Sequence, residues 1–145
     1  MPVRKGSAQW SGNLQQGKGV LNTETGVLKN TAYNAKSRFE SGDETNPEEI
    51  LGAAHAGCFS MALANSLSKA GFKVNSIETE DAVHIEKLPE GFTITKIDIK
   101  TDGDVDGIDK DTFVPFPSVL SRSNFPPNIS TLSLIILRFK LESSE

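Results

Sequence analysis

Asn46-Pro47-Glu48-Glu49-Ile50-Leu51-Gly52-Ala53-Ala54-His55-Ala56-Gly57-Cys58-Phe59-Ser60-Met61-Ala62-Leu63 is the stretch on which the fold turns. Asn46 is a good helix N-cap and Pro47 suits the first helical position. Glu48 and Glu49 complement the positive end of the helix macrodipole, and Glu49 stands three residues after the cap, as in a capping box. From Ile50 to Ala70 the breakers are Gly52 and Gly57, and Gly71 is placed to end the helix. Apolar side chains fall all round it (Ile50, Leu51, Phe59, Met61, Leu63, Leu67), so the pattern predicts a buried helix and not a surface one. The run Gly52, Ala53, Ala54, Ala56, Gly57 has little side-chain bulk and permits close approach by another element or another chain.

Outward from this helix the chain reads as strands. Before it, Gln9-Trp10-Ser11 leads into Gly12, and Gly17-Lys18-Gly19 leads into Val20-Leu21-Asn22-Thr23. Gly26 separates that from Val27-Leu28, and Ser37-Arg38-Phe39-Glu40 is a further strand candidate. After it come Lys73–Glu80 and Ala82–Lys87, then a turn at Pro89-Glu90-Gly91. In Phe92–Lys100 the apolar positions change parity between Ile94 and Ile97, which predicts a bulge or bend near Thr95-Lys96. The last strand alternates Leu137, Phe139 and Leu141 against Arg138, Lys140 and Glu142.

The chain has 145 residues and a net charge of -4. That length suits a single domain over 1–145 with a core of its own. The acidic balance offers no broad surface for nucleic acid or an anionic membrane. The N-terminus lacks the apolar centre of a signal peptide, no membrane span is expected, and the expected location is cytoplasmic. There is one cysteine, so no disulfide can form within the chain.

Cys58 is therefore where any thiol chemistry rests. A lone cysteine on a buried helix ordinarily serves as a small apolar side chain. Cys58 lies twelve residues past Asn46, roughly 18 Å up the helix, where the macrodipole no longer favours a thiolate. A reactive Cys58 needs a cation from elsewhere. His55, three residues back on the same face, is one source. A metal site of Cys58, His55 and His84 is a weak alternative, because the set has no recognised ligand spacing. His84, between Val83 and Ile85, is expected on a solvated strand face. No phosphate-binding loop or nucleotide fingerprint is present.

The 46–63 block resembles the signature of the OsmC/Ohr family, closest to its osmotically inducible branch. Gln9-Trp10-Ser11-Gly12, the Gly17-Lys18-Gly19 turn, Ser37-Arg38-Phe39-Glu40 and Ile94-Thr95-Lys96-Ile97 support it, and the resemblance runs from residue 6 to 113. It implies an α+β fold with curved antiparallel sheets around a buried central helix, in an intertwined homodimer with sites at the subunit boundary. It implies a thiol-dependent peroxidase that reduces organic hydroperoxides, and hydrogen peroxide less well, in oxidative and osmotic stress. Cys58 would be the nucleophile, passing through a sulfenic acid. Arg38 would supply the fixed cation for thiolate and peroxide, and Glu48 would orient Arg38 by a bidentate pair. No bound cofactor is implied, only an external thiol, as a small molecule or a protein dithiol. Glu48 and Cys58 are ten residues apart, about 15 Å of straight helix. One arginine serves both only if the helix bends at Gly52 or Gly57, or if partner groups come from a second chain.

The resemblance breaks after Phe113. The family has a second, resolving cysteine followed by proline on a later helix, and the matching position here is Phe125-Pro126. Residues 114–136 carry prolines at 115, 117, 126 and 127 and no acidic residue, which predicts an irregular segment. A displaced reading frame restored before Leu137 and a true one-cysteine enzyme both fit. A redox-inactive member of the fold, binding a small apolar or thiol ligand, is the alternative function.

Overall fold

The computed structural model describes residues 2–89, 91–109 and 113, and the backbone of 132–139. The expectations for residues 114–131, including an irregular segment or a helix and the placement of Phe125, lie outside the described residues. Two compact units divide the chain, Met1–Ile50 and Leu51–Glu145.

In the first unit, β1 (Gly6–Ser11), β2 (Lys18–Thr23) and β3 (Thr31–Tyr33) form an antiparallel sheet in that order. Trp10 and Tyr33 flank Gly19 across the strands, their rings 5.4 Å apart. A Cβ at Gly19 would collide with both rings, so the glycine expected as a turn residue is instead the seat of an aromatic pair. Val27-Leu28 lies in the bends between β2 and β3, with Val27 exposed.

The expected strand at Ser37–Glu40 is a short helix, α1 (Ala35–Phe39). The Asn34 side chain accepts the Ser37 N–H at 2.8 Å and caps it. A local cap of this kind outweighs the weak strand pattern of four residues.

Helix α2 (Pro47–Lys69) is the predicted one. Asn46 Oδ1 accepts the Glu49 N–H at 2.9 Å. The return half of the capping box is altered: Glu49 Oε2 accepts from the Thr45 hydroxyl at 2.9 Å. At the far end Gly71 takes φ +92, and the Phe72 N–H reaches back to the Leu67 carbonyl at 3.1 Å. That is a Schellman-type ending, for which a left-handed glycine is suited. Length and composition would also suit a membrane span, as they do for many core helices.

In the second unit, β4 (Lys73–Leu88) and β5 (Gly91–Asp106) form a long antiparallel hairpin, and β6 (Leu132–Phe139) adds to β5 in parallel. This sheet is thus mixed and not wholly antiparallel, and its last strand begins at Leu132, inside the stretch expected to be irregular. The expected bulge is present. His84 pairs with Lys96 and Ile85 with Ile94, which leaves Thr95 as the extra residue. Ile94 and Ile97 thereby share the core face despite their opposite parity. Phe59, Leu63 and Leu67 of α2 pack with Ile97, Ile99 and Phe113 in one buried cluster.

α2 is buried on one side only within the single chain. Gly52, Ala56, Phe59, Leu63 and Leu67 are covered, while Leu51, Ala54, Gly57, Cys58 and Met61 are exposed. The apolar residues all round the helix thus serve two faces, and the chain itself covers one of them.

Candidate functional site

Arg38 on α1 and Glu48 in the first turn of α2 meet as a forked ion pair. Arg38 Nη2 donates to Glu48 Oε1 at 2.8 Å, and Nε lies 3.1 Å from both carboxylate oxygens. Glu48 is 8 % exposed. Planar guanidinium matches planar carboxylate, so two parallel bonds fix the orientation of both groups. The Phe39 ring lies beneath the guanidinium, 5.2 Å from Cζ to the ring centre. Asn46 Nδ2 donates to the Ser37 carbonyl at 3.2 Å, which holds α1 against the start of α2. The sequence placed Arg38 on a strand, but it named the residue that Glu48 receives.

Cys58 is a free, exposed thiol in the middle of α2. The turns that flank it are tied to β4. His55 Nδ1 bonds to the Asp81 carboxylate, whose side chain is fully buried. Burial pushes the Asp81 carboxyl above its ordinary value, and the hydrogen bond and charge of His55 pull it back. Two residues beyond Cys58, the Ser60 hydroxyl donates to Thr79 Oγ1 at 2.7 Å. Thr79 contacts Thr101 Oγ1 at 3.0 Å, and Thr101 donates to the Glu78 carbonyl at 3.2 Å. Gly52 makes the approach possible: a Cβ there would stand 3.3 Å from the Asp81 carbonyl oxygen.

Sequence reading missed Asp81 and the hydroxyl chain. It left Asp81 as a break between two strands, since a carboxylate on the core face of a strand is costly. β4 runs through it without a break, opposite Ile99, and His55 gives the buried carboxylate a hydrogen-bond partner. The signal available was a histidine on a helix and an aspartate between apolar alternations, with nothing in either segment to pair them.

Of the three groups considered for a metal, both histidines are bonded elsewhere, His55 to Asp81 and His84 to Asp98. His84 Nε2 is 2.8 Å from Asp98 Oδ2, on a partly exposed strand face. Lys96 Nζ reaches the same oxygen at 2.7 Å, and these bonds, that of Lys96 above all, hold the Asp98 carboxyl below its ordinary value. Among the described residues no group of three His, Cys, Asp or Glu side chains could hold a metal ion.

A strand–helix–strand α+β chain with this helix and this ion pair defines a class, and comparison with known proteins agrees on it. The chain belongs to the OsmC-like protein family, whose profile matches residues 40–115. It is 50% identical over 110 residues to Peroxiredoxin OsmC of Escherichia coli K12, covering 76% of this chain and 77% of that one. The Shigella flexneri protein of the same name matches equally. Among solved structures, an organic hydroperoxide resistance protein OsmC from Legionella pneumophila superposes with TM-score 0.65 at 19% identity, covering 94% of this chain and all of that one. OhrB of Bacillus subtilis gives 0.60 at 20% identity, covering 94% and 98%. At these identities the two structures speak to the fold.

Proposed function

We propose that the protein is a cysteine-based peroxidase that reduces organic hydroperoxides, and hydrogen peroxide less well, to alcohols in oxidative and osmotic stress defence. Kinship supports the enzyme class: half identity over three quarters of both chains joins it to a peroxiredoxin. The observation that carries the reading is the forked Arg38–Glu48 pair. An arginine locked by a buried carboxylate is a fixed cation, which is what a mid-helix thiol needs to become a thiolate.

In the proposed reaction the Cys58 thiolate attacks the terminal peroxide oxygen. The S–O bond forms, the O–O bond breaks, and the alkoxide leaves and takes a proton. Sulfur is oxidised to a sulfenic acid and the peroxide is reduced. Arg38 holds thiolate and peroxide, and Glu48 aims Arg38. An external thiol, as a small molecule or a protein dithiol, then attacks the sulfenic sulfur and releases water. A second thiol restores Cys58. No bound cofactor takes part, and neither nucleic acid nor membrane is a partner.

The site is completed by a second copy of the chain. Glu48 and Cys58 stand ten residues apart in the sequence, about 15 Å of straight helix, and a second chain brings an Arg38 to the thiol. The exposed face of α2, with Met61 76% exposed beside Cys58, offers an apolar surface for the partner. Across a two-fold axis each Cys58 meets the Arg38 of the other chain. The proposed location is the cytoplasm. The test is direct: reduced protein treated with one equivalent of cumene hydroperoxide yields sulfenic acid on Cys58, trapped by dimedone. A redox-inactive ligand-binding protein yields none.

A further inference from the structure

The reaction needs an acid that neither Arg38 nor Glu48 supplies. An alkoxide leaving an apolar site must be protonated. Arginine does not give up its proton in proteins, and both Glu48 carboxylate oxygens are taken up by Arg38.

One turn before Cys58 stands a pair that the mechanism above leaves unused. His55 shares a helical surface with Cys58 at the i, i+3 spacing. Its side chain is 13% exposed, on the rim between the covered face of α2 and the open face that carries Cys58. Its Nδ1 is bonded to Asp81, whose carboxylate is entirely buried and whose Oδ1 has no hydrogen-bond partner among the described residues. That bond fixes the orientation of the imidazole ring and leaves its other nitrogen, Nε2, as the atom that can face a substrate. The Phe59 ring, 6.3 Å from that of His55 by centroids, limits the ring on its other side. The arrangement is an oriented imidazole braced by a carboxylate beside a nucleophile, which is the logic of acid–base dyads.

We infer that His55 is the general acid of the peroxide reaction and Asp81 its positioning residue. As the Cys58 thiolate takes the terminal oxygen and the O–O bond breaks, the imidazolium passes its proton to the departing alkoxide, which leaves as the alcohol. His55 is then neutral and recovers a proton from water. Sulfur is oxidised and the peroxide reduced, as before, and the proton count closes.

This rests on the proposed peroxidase reading, and the leaving group of the peroxide separates the two. Single-turnover oxidation of Cys58 is followed with cumene hydroperoxide, whose alkoxide needs a proton, and with peracetic acid, whose acetate does not. For wild type, both react. In His55→Gln the cumene hydroperoxide rate falls about a hundredfold, while the peracetic acid rate stays within about threefold of wild type. Asp81→Asn shows the same selectivity to a smaller degree, and serves as the second variant should one of them fold poorly. Equal losses on both peroxides, or no loss on either, would overturn the role of His55 and leave the peroxidase reading standing. Failure of the wild-type chain to react with either peroxide would overturn that reading, and this inference with it.

Discussion

Arg38 presents two nitrogens to the carboxylate of Glu48, and that carboxylate is almost wholly buried. The pair is therefore costly to break from either side. In Arg38→Ala the buried Glu48 loses its counter-charge, and stability falls by about 1–3 kcal/mol by urea titration. The larger consequence is chemical. The pH profile of iodoacetamide labelling at Cys58 moves to higher pH in Arg38→Ala, and peroxide oxidation slows about a hundredfold or more. Glu48→Gln acts in the same sense but more weakly, because it loosens the aim of Arg38 and keeps its charge. An unchanged labelling profile in Arg38→Ala removes that residue from the mechanism.

The open face of α2 makes the second prediction. Light scattering at micromolar concentration should give the mass of two chains. Met61→Glu puts a charge into that face and should yield a monomer in which Cys58 reacts slowly with peroxide, because the partner's Arg38 is gone. A monomeric wild-type protein with full peroxidase activity would contradict the shared site.

The core under α2 is predicted to behave as an ordinary close-packed interior. Leu63 is fully buried among Phe59, Leu67 and the β5 isoleucines. Leu63→Ala should cost about 2–5 kcal/mol, read as a lower urea midpoint with unchanged slope. A loss under about 1 kcal/mol would show that this cluster collapses around the gap.

The central helix was legible in the sequence because each signal agreed: Asn46 as cap, Pro47 and Glu49 after it, Gly71 at the end. The bulge at Thr95 was legible for a similar reason, since a change of apolar parity has no other reading in a strand that keeps one face in the core. The short helix carrying Arg38 was not legible. Its reason is a single cap by Asn34, and four residues are too few for periodicity to separate helix from strand. Asp81 was hidden in another way. Its burial makes sense only beside His55, and that pairing crosses from helix to strand over a sequence distance no local pattern spans. Arg38, Glu48 and Cys58 were named through family resemblance, and the structure then supplied the bond between the first two.

The most direct measurement of the central claim is intact-mass spectrometry of reduced protein after one equivalent of cumene hydroperoxide, with peptide mapping. The proposed chemistry predicts a chain heavier by one oxygen, borne on Cys58 and removed by dithiothreitol. With one cysteine in the chain, no internal disulfide competes for it. A chain whose mass and thiol are unchanged, or an oxygen found on Met61 with Cys58 still reduced, would contradict it.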